Sequence, residues 1–129
     1  MMMVNAGFGR LSLRPGPPSM FTQHKQTAPW REREKLTSIR LLARGDVAGD
    51  QLAATWVEVA PGGRQIPHHH PEVQIYIIVA GHGRMWVGGE SKEVSAGELI
   101  HVPSGSQHGI ENTGNDMLEV LICTSPPNP

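Results

Sequence analysis

From Leu36 onward the chain alternates short β-favouring runs with clusters of turn residues, and no stretch carries the 3.6-residue apolar period of an amphipathic helix. The pattern predicts strands over Thr37–Ala43, Ala53–Ala60, Gln74–Val79, Arg84–Val87, Glu98–Val102, Gly109–Glu111 and Met117–Cys123. Glycine punctuates them at Gly62-Gly63, Gly81, Gly83, Gly88-Gly89, Gly97 and Gly114. The Gly88-Gly89 pair predicts a hairpin, because glycine accepts the positive φ angles of tight two-residue turns. Many short, closely spaced strands point to an all-β sandwich or barrel, and closure into a barrel removes exposed strand edges.

Residues 1–35 lack this alternation. Arg14-Pro-Gly-Pro-Pro18 can be neither helix nor central strand, because proline has no amide proton to donate. The expectation is an extended, partly flexible N-terminal arm over 1–35, a β-barrel over 36–125 and a short tail over 126–129. The mixed-charge run Arg31-Glu-Arg-Glu-Lys35 reads as a solvated turn or helical fragment.

At 129 residues there is room for one core. A formal net charge of -1 provides no electrostatic footprint for nucleic acid or an anionic membrane, so neither is expected as a partner. The single cysteine, Cys123, cannot form an internal disulfide. With neither a signal-peptide pattern nor an apolar run of spanning length, the expected location is cytoplasmic.

The chemistry concentrates in Pro67-His-His-His-Pro-Glu-Val-Gln74. Strand alternation places His68 and His70 on one face and His69 on the other, and neutral imidazole is the commonest metal ligand. Downstream, Gly97-Glu-Leu-Ile-His-Val-Pro103-Ser-Gly105-Ser-Gln-His108-Gly-Ile-Glu-Asn112 supplies a further histidine.

Together these segments resemble the cupin family, whose motifs are G-x5-H-x-H-x3,4-E-x6-G and G-x5-P-x-G-x2-H-x3-N. Here they read Gly62, His68, His70, Gln74, Gly81 and Gly97, Pro103, Gly105, His108, Asn112. Every spacing fits, and one residue type departs: glutamine stands where the motif has glutamate. The resemblance implies a single-domain jelly-roll β-barrel holding one divalent transition metal (Mn, Fe, Ni, Co, Cu or Zn) on His68, His70, Gln74 and His108. Glu72 is a rival oxygen ligand with a poorer spacing. With glutamine all four ligands are neutral and the metal keeps its full charge, which favours Lewis-acid chemistry over cycling through a ferric state. Glutamine near this position also resembles the small pectin-degradation cupins that linearise unsaturated uronates, where it lies one residue further along.

Around this centre, Tyr76 shares strand parity with Gln74 and is the candidate for proton transfer, with a core tyrosine as the alternative. Arg84 and Trp86 share a face, from which an inward arginine could bind a substrate carboxylate. His101 reads as a surface residue, and Cys123 as a small core residue. The expected activity is that of a metal-dependent isomerase or lyase acting on a small anionic or carbonyl-bearing substrate; a dioxygenase and a non-catalytic metal or ligand-binding module are the alternatives. Ile75 and Ile77 give the same strand an apolar outer side suited to a homodimer contact.

Overall fold

The computed structural model describes residues 20–49 and 51–127 together with the backbone of Met2–Val4. In chain order the strands are β1 (Met2–Val4), β2 (Trp30–Arg33), β3 (Leu36–Leu42), β4 (Ala53–Val59), β5 (Val73–Ala80), β6 (His82–Val87), β7 (Glu90–Ser95), β8 (Leu99–Val102), β9 (His108–Asn112) and β10 (Leu118–Ser125). No helix occurs among the described residues. They form two antiparallel sheets, one ordered β1-β2-β3-β4-β10-β5-β8 and the other β7-β6-β9. The core between them draws Val57, Val59, Tyr76, Ile78, Val102, Leu118, Val120 and Ile122 from the large sheet and Met85, Val94 and Ile110 from the small one. This is the all-β jelly roll that the alternation and the motifs imply.

The seven expected strands are all present, with ends displaced by at most two residues. Three further strands escaped the pattern: β1 (Met2–Val4), β2 and β7. Glu90–Ser95 is polar at every position but Val94, which is buried, so its periodicity is invisible until Gly88 turns the chain back from β6. The mixed-charge run is also corrected: Trp30–Arg33 is neither solvated turn nor helical fragment but a strand, paired with Leu36–Ile39 across a turn at Glu34. Of the arm expected over 1–35, residues 1 and 5–19, including Arg14–Pro18, lie outside the described residues, as do tail residues 128–129.

Before β2, Lys25 fastens the chain to the outer face of the large sheet. Its Nζ lies 2.7 Å from Glu58 Oε2, 3.3 Å from Glu119 Oε1 and 5.1 Å from the Trp56 ring centroid. Gly81 joins β5 to β6 at φ 81°, where a Cβ would stand 2.6 Å from the Met117 carbonyl oxygen, so no other residue fits without moving backbone. Asn112 closes the barrel end distant from the histidines. Its Nδ2 donates to the carbonyls of Val59 (2.7 Å) and Asp116 (2.8 Å), and its Oδ1 accepts from Gly114 N–H at 2.8 Å.

Candidate metal centre

Ladder register gathers residues remote in sequence at one end of the barrel. His108 opens β9 and faces Val87 of β6, while an isolated bridge pairs its backbone with that of His68. Gln74 lies on β5 between Val102 of β8 and Thr124 of β10. The rings of His68, His70 and His108 have centroids 4.3–5.5 Å apart, and one ligand atom from each lies within 4.8 Å of the others. His69 is exposed, but the triplet is not on the expected strand: it precedes β5 in an irregular segment that an isolated bridge at His68 ties to His108.

Backbone carbonyls decide which ring nitrogens carry the protons. A carbonyl oxygen can only accept, and the Nδ1 atoms of His68, His70 and His108 lie 2.9, 3.0 and 2.9 Å from the carbonyls of Ile66, Glu72 and Ser106. A ring that donates from Nδ1 to its carbonyl can offer its Nε2 lone pair to a metal. Two of those nitrogens approach the same atom, Gln74 Oε1, at 3.2 Å (His70) and 3.0 Å (His108). In that tautomer the Nε2 lone pairs and Gln74 Oε1 face one another, an arrangement that a cation among them would relieve. Burial also pushes the His108 pKa below its ordinary value, helped by its histidine neighbours and opposed by the Ser106 carbonyl, so the ring stays available as a ligand. The donor set thus fits a borderline transition metal by softness and by tautomer.

Gln74 is buried, and its Nε2 donates to Thr124 Oγ1 at 2.9 Å, which turns the amide oxygen towards the histidines. Glu72 sits on the other side of His70, with Oε1 3.5 Å from Nδ1. Tyr76 is fully buried, its ring 5.9 Å from that of His108, and its hydroxyl donates to Gln65 Oε1 at 2.8 Å. Burial raises the phenol pKa far above its usual range, and the Gln65 bond offsets this only slightly.

Arg84 does not face inward. Gly83 and Met85 take the buried positions of β6, leaving Arg84 on the outer face with Nη1 2.9 Å from Ser91 Oγ and Nε 3.6 Å from Glu93. Cys123 likewise alternates with buried Ile122 and Thr124; it is a half-buried residue of the outer face and not a core residue, and burial raises its thiol pKa. His101 is exposed. Beside the centre lies a cavity of about 460 Å³ lined by Arg64, Gln65, Pro67, Trp86, Gln107 and His108. Arg64, Gln65 and Thr124 had no sequence signal: the first two precede the histidine cluster in a non-strand segment, and the third lies just past the expected end of its strand.

The cupin domain family profile matches residues 55–124, which takes in both histidine segments. The chain belongs to the cupin family. This cupin is 30% identical to an uncharacterised protein of Methanocaldococcus jannaschii over 107 residues, covering 82% of the chain and 86% of that protein. It is also 34% identical over 79 residues to the mannose-1-phosphate guanylyltransferase ManC of Salmonella typhimurium, where the match spans 60% of the chain but only 16% of the enzyme. Among solved structures, a predicted oxalate decarboxylase from Thermotoga maritima superimposes with a TM-score of 0.73 at 26% identity, covering 83% of the cupin and 99% of that chain. KdgF from a Halomonas species superimposes at 0.72 with 22% identity, over 84% and 96%, which shows the shared fold. No helix among the described residues is long and apolar enough to cross a membrane.

Proposed function

We propose that this cupin is a metal-dependent enzyme that binds one divalent transition metal through His68, His70, Gln74 and His108 and acts on a small carboxylate- or carbonyl-bearing substrate as an isomerase or lyase. The observation that carries the reading is the grouping of His68, His70 and His108, with Nε2 of the latter two on Gln74 Oε1 and each Nδ1 beside a carbonyl. When bound, a divalent ion held by four neutral ligands supplies Lewis-acid polarisation of an oxygen. The chain's own residues contribute binding and orientation. Arg64, in the cavity that His108 also lines, is placed to meet a carboxylate, and Gln107 to donate to a further oxygen. Tyr76 stays a neutral phenol whose proton is committed to Gln65, so its part is to hold Gln65, which lines the cavity, and to donate a hydrogen bond when that partner moves.

Relatives with oxalate in their names, such as an oxalate-binding protein of Thermotoga maritima, support small acids as the ligand class. The same reading includes a cytoplasmic setting and a homodimer. One observation favours the second reading, a non-catalytic binding module: the Tyr76 hydroxyl is committed to Gln65.

The test is metal analysis of the purified chain, thermal melting with and without chelator, and turnover assays on uronates, β-diketones and hydroxy acids. The expectation is close to one ion per chain and, with metal at about 100 times its Kd, a stabilisation of ~2.7 kcal/mol, or roughly 10 °C in Tm. His68→Ala should abolish both effects. Less than about a tenth of an ion per chain, with His68→Ala unchanged in stability, overturns the metal reading. Bound metal without turnover on any of these substrates supports the binding module.

A further inference from the structure

We infer that Thr124 is a positioning residue that presents the oxygen of the Gln74 carboxamide, and not its NH2 group, to the three imidazoles. The inference rests on the metal-centre reading above and assigns a role to a residue outside the ligand set. A carboxamide has two chemically opposite ends of nearly equal size. In the absence of a cation, the Nε2 lone pairs of His70 and His108 would attract the NH2 end, which would then occupy the ligand position with two N–H donors and block it.

The opposite orientation is built into the sheet. Thr124 stands directly across β10 from Gln74 on β5. Its Oγ1 accepts from Gln74 Nε2 at 2.9 Å, which leaves Oε1 3.2 and 3.0 Å from the two imidazole nitrogens. Both side chains are buried, with 8% of Gln74 and 4% of Thr124 exposed, so a misplaced NH2 group would find little water to satisfy it. The composition of β10 points the same way. Its inward positions are Leu118, Val120, Ile122 and Thr124, and only the last carries a hydroxyl. Valine would fill the same volume there, so packing alone does not call for threonine.

Co(II) titration of the full chain, followed by the visible absorption of the bound ion and by competition with a chromophoric chelator, tests the assignment. Thr124→Val should weaken Co(II) binding by about 10–100-fold, the usual cost of losing an outer partner of a metal ligand. Thr124→Ser should remain close to wild type. Gln74→Ala should lose a comparable factor, and Thr124→Val in the Gln74→Ala background should lose nothing more, because both changes remove the same oxygen. A residue that matters only for packing would instead add its effect in the double variant and lower the metal-free Tm equally in both backgrounds. Should Thr124→Val fail to fold, Thr124→Ala carries the same expectation. Wild-type affinity in either variant, or additive losses, overturns the inference. Absence of Co(II) binding by the wild-type chain overturns the metal reading itself, which keeps the two failures apart.

Discussion

Replacing Asn112 by alanine removes three hydrogen bonds at the barrel end away from the histidines, at 2.7, 2.8 and 2.8 Å. Their costs are unequal. Val59 is fully buried and keeps its place opposite Leu118 in the β4–β10 ladder, so its carbonyl loses one of its bonds with no water to replace it, a cost of about 0.5–1.5 kcal/mol. Asp116 is exposed and Gly114 half-buried, so their backbone groups can recover water, and each of those losses is roughly 0.5 kcal/mol. Asn112→Ala should therefore cost about 1.5–2.5 kcal/mol, against the ~5–15 kcal/mol that holds a domain folded. Asn112→Asp should cost more at pH 8, although it keeps the acceptor for Gly114. Its second oxygen would face two carbonyl oxygens, and burial disfavours the charged carboxylate. Protonation would restore one donor, so the folded state would hold the aspartic proton to higher pH than the unfolded chain does. The sign follows: Asn112→Asp gains stability as pH falls from 8 to 5, whereas Asn112→Ala does not gain from this source. Urea denaturation in chelator, read as midpoint and slope at both pH values, measures this. A cost below about 1 kcal/mol for Asn112→Ala, or an Asn112→Asp variant at least as stable as Asn112→Ala at pH 8, would refute the reasoning.

Two further expectations concern the interior and the outer face. Tyr76 is the only tyrosine, so phenolate absorption near 295 nm reports this residue alone. Burial raises its pKa, so the folded chain keeps the proton that the unfolded chain releases from about pH 10, and stability falls as pH rises past that point. Phenolate should appear only together with loss of far-UV strand signal; its appearance in the folded protein near pH 10 would count against the buried, Gln65-bonded hydroxyl. On the outer face of the large sheet, Ile39, Trp56, Leu121, Ile77 and Leu99 form one cross-strand apolar row over five strands, and Leu99 is 58% exposed. Solution mass by sedimentation should give twice the chain mass, and Ile77→Lys should halve it; a monomeric wild type at micromolar concentration would dismiss the homodimer.

What could be read from the sequence divides along physical lines. Strands that bury one face announce themselves, because an apolar side chain at every second residue has no other use; β4, β5 and β10 are of this kind. β7 buries Val94 alone and is a strand because Gly88 turns it against β6, so its identity lies in its neighbour. Trp30–Arg33 is likewise made a strand by pairing with β3, against the solvated reading that its charges suggest. The same limit governs the site. The H-x-H spacing grouped His68 and His70 and left out His69, although the three lie before β5 in a segment held by an isolated bridge to His108 and not in a strand. It could not tell which face of β6 points inward, and Arg84 accordingly turned out to lie outside while Arg64 lines the cavity.

Gln74 shows the boundary most sharply. Its identity makes the ligand set neutral, and that much is legible from one residue. Whether it serves the histidines as a ligand or blocks them depends on which end of its amide faces them, and that is decided by a hydroxyl fifty residues later, |i−j| = 50, brought alongside by the β5–β10 register. A glutamate at this position would not face the same choice, since both ends of a carboxylate are oxygen. Glutamine in this barrel therefore needs a partner across the sheet where glutamate would not, and exchanging Gln74 for glutamate should relieve the metal affinity of its dependence on Thr124.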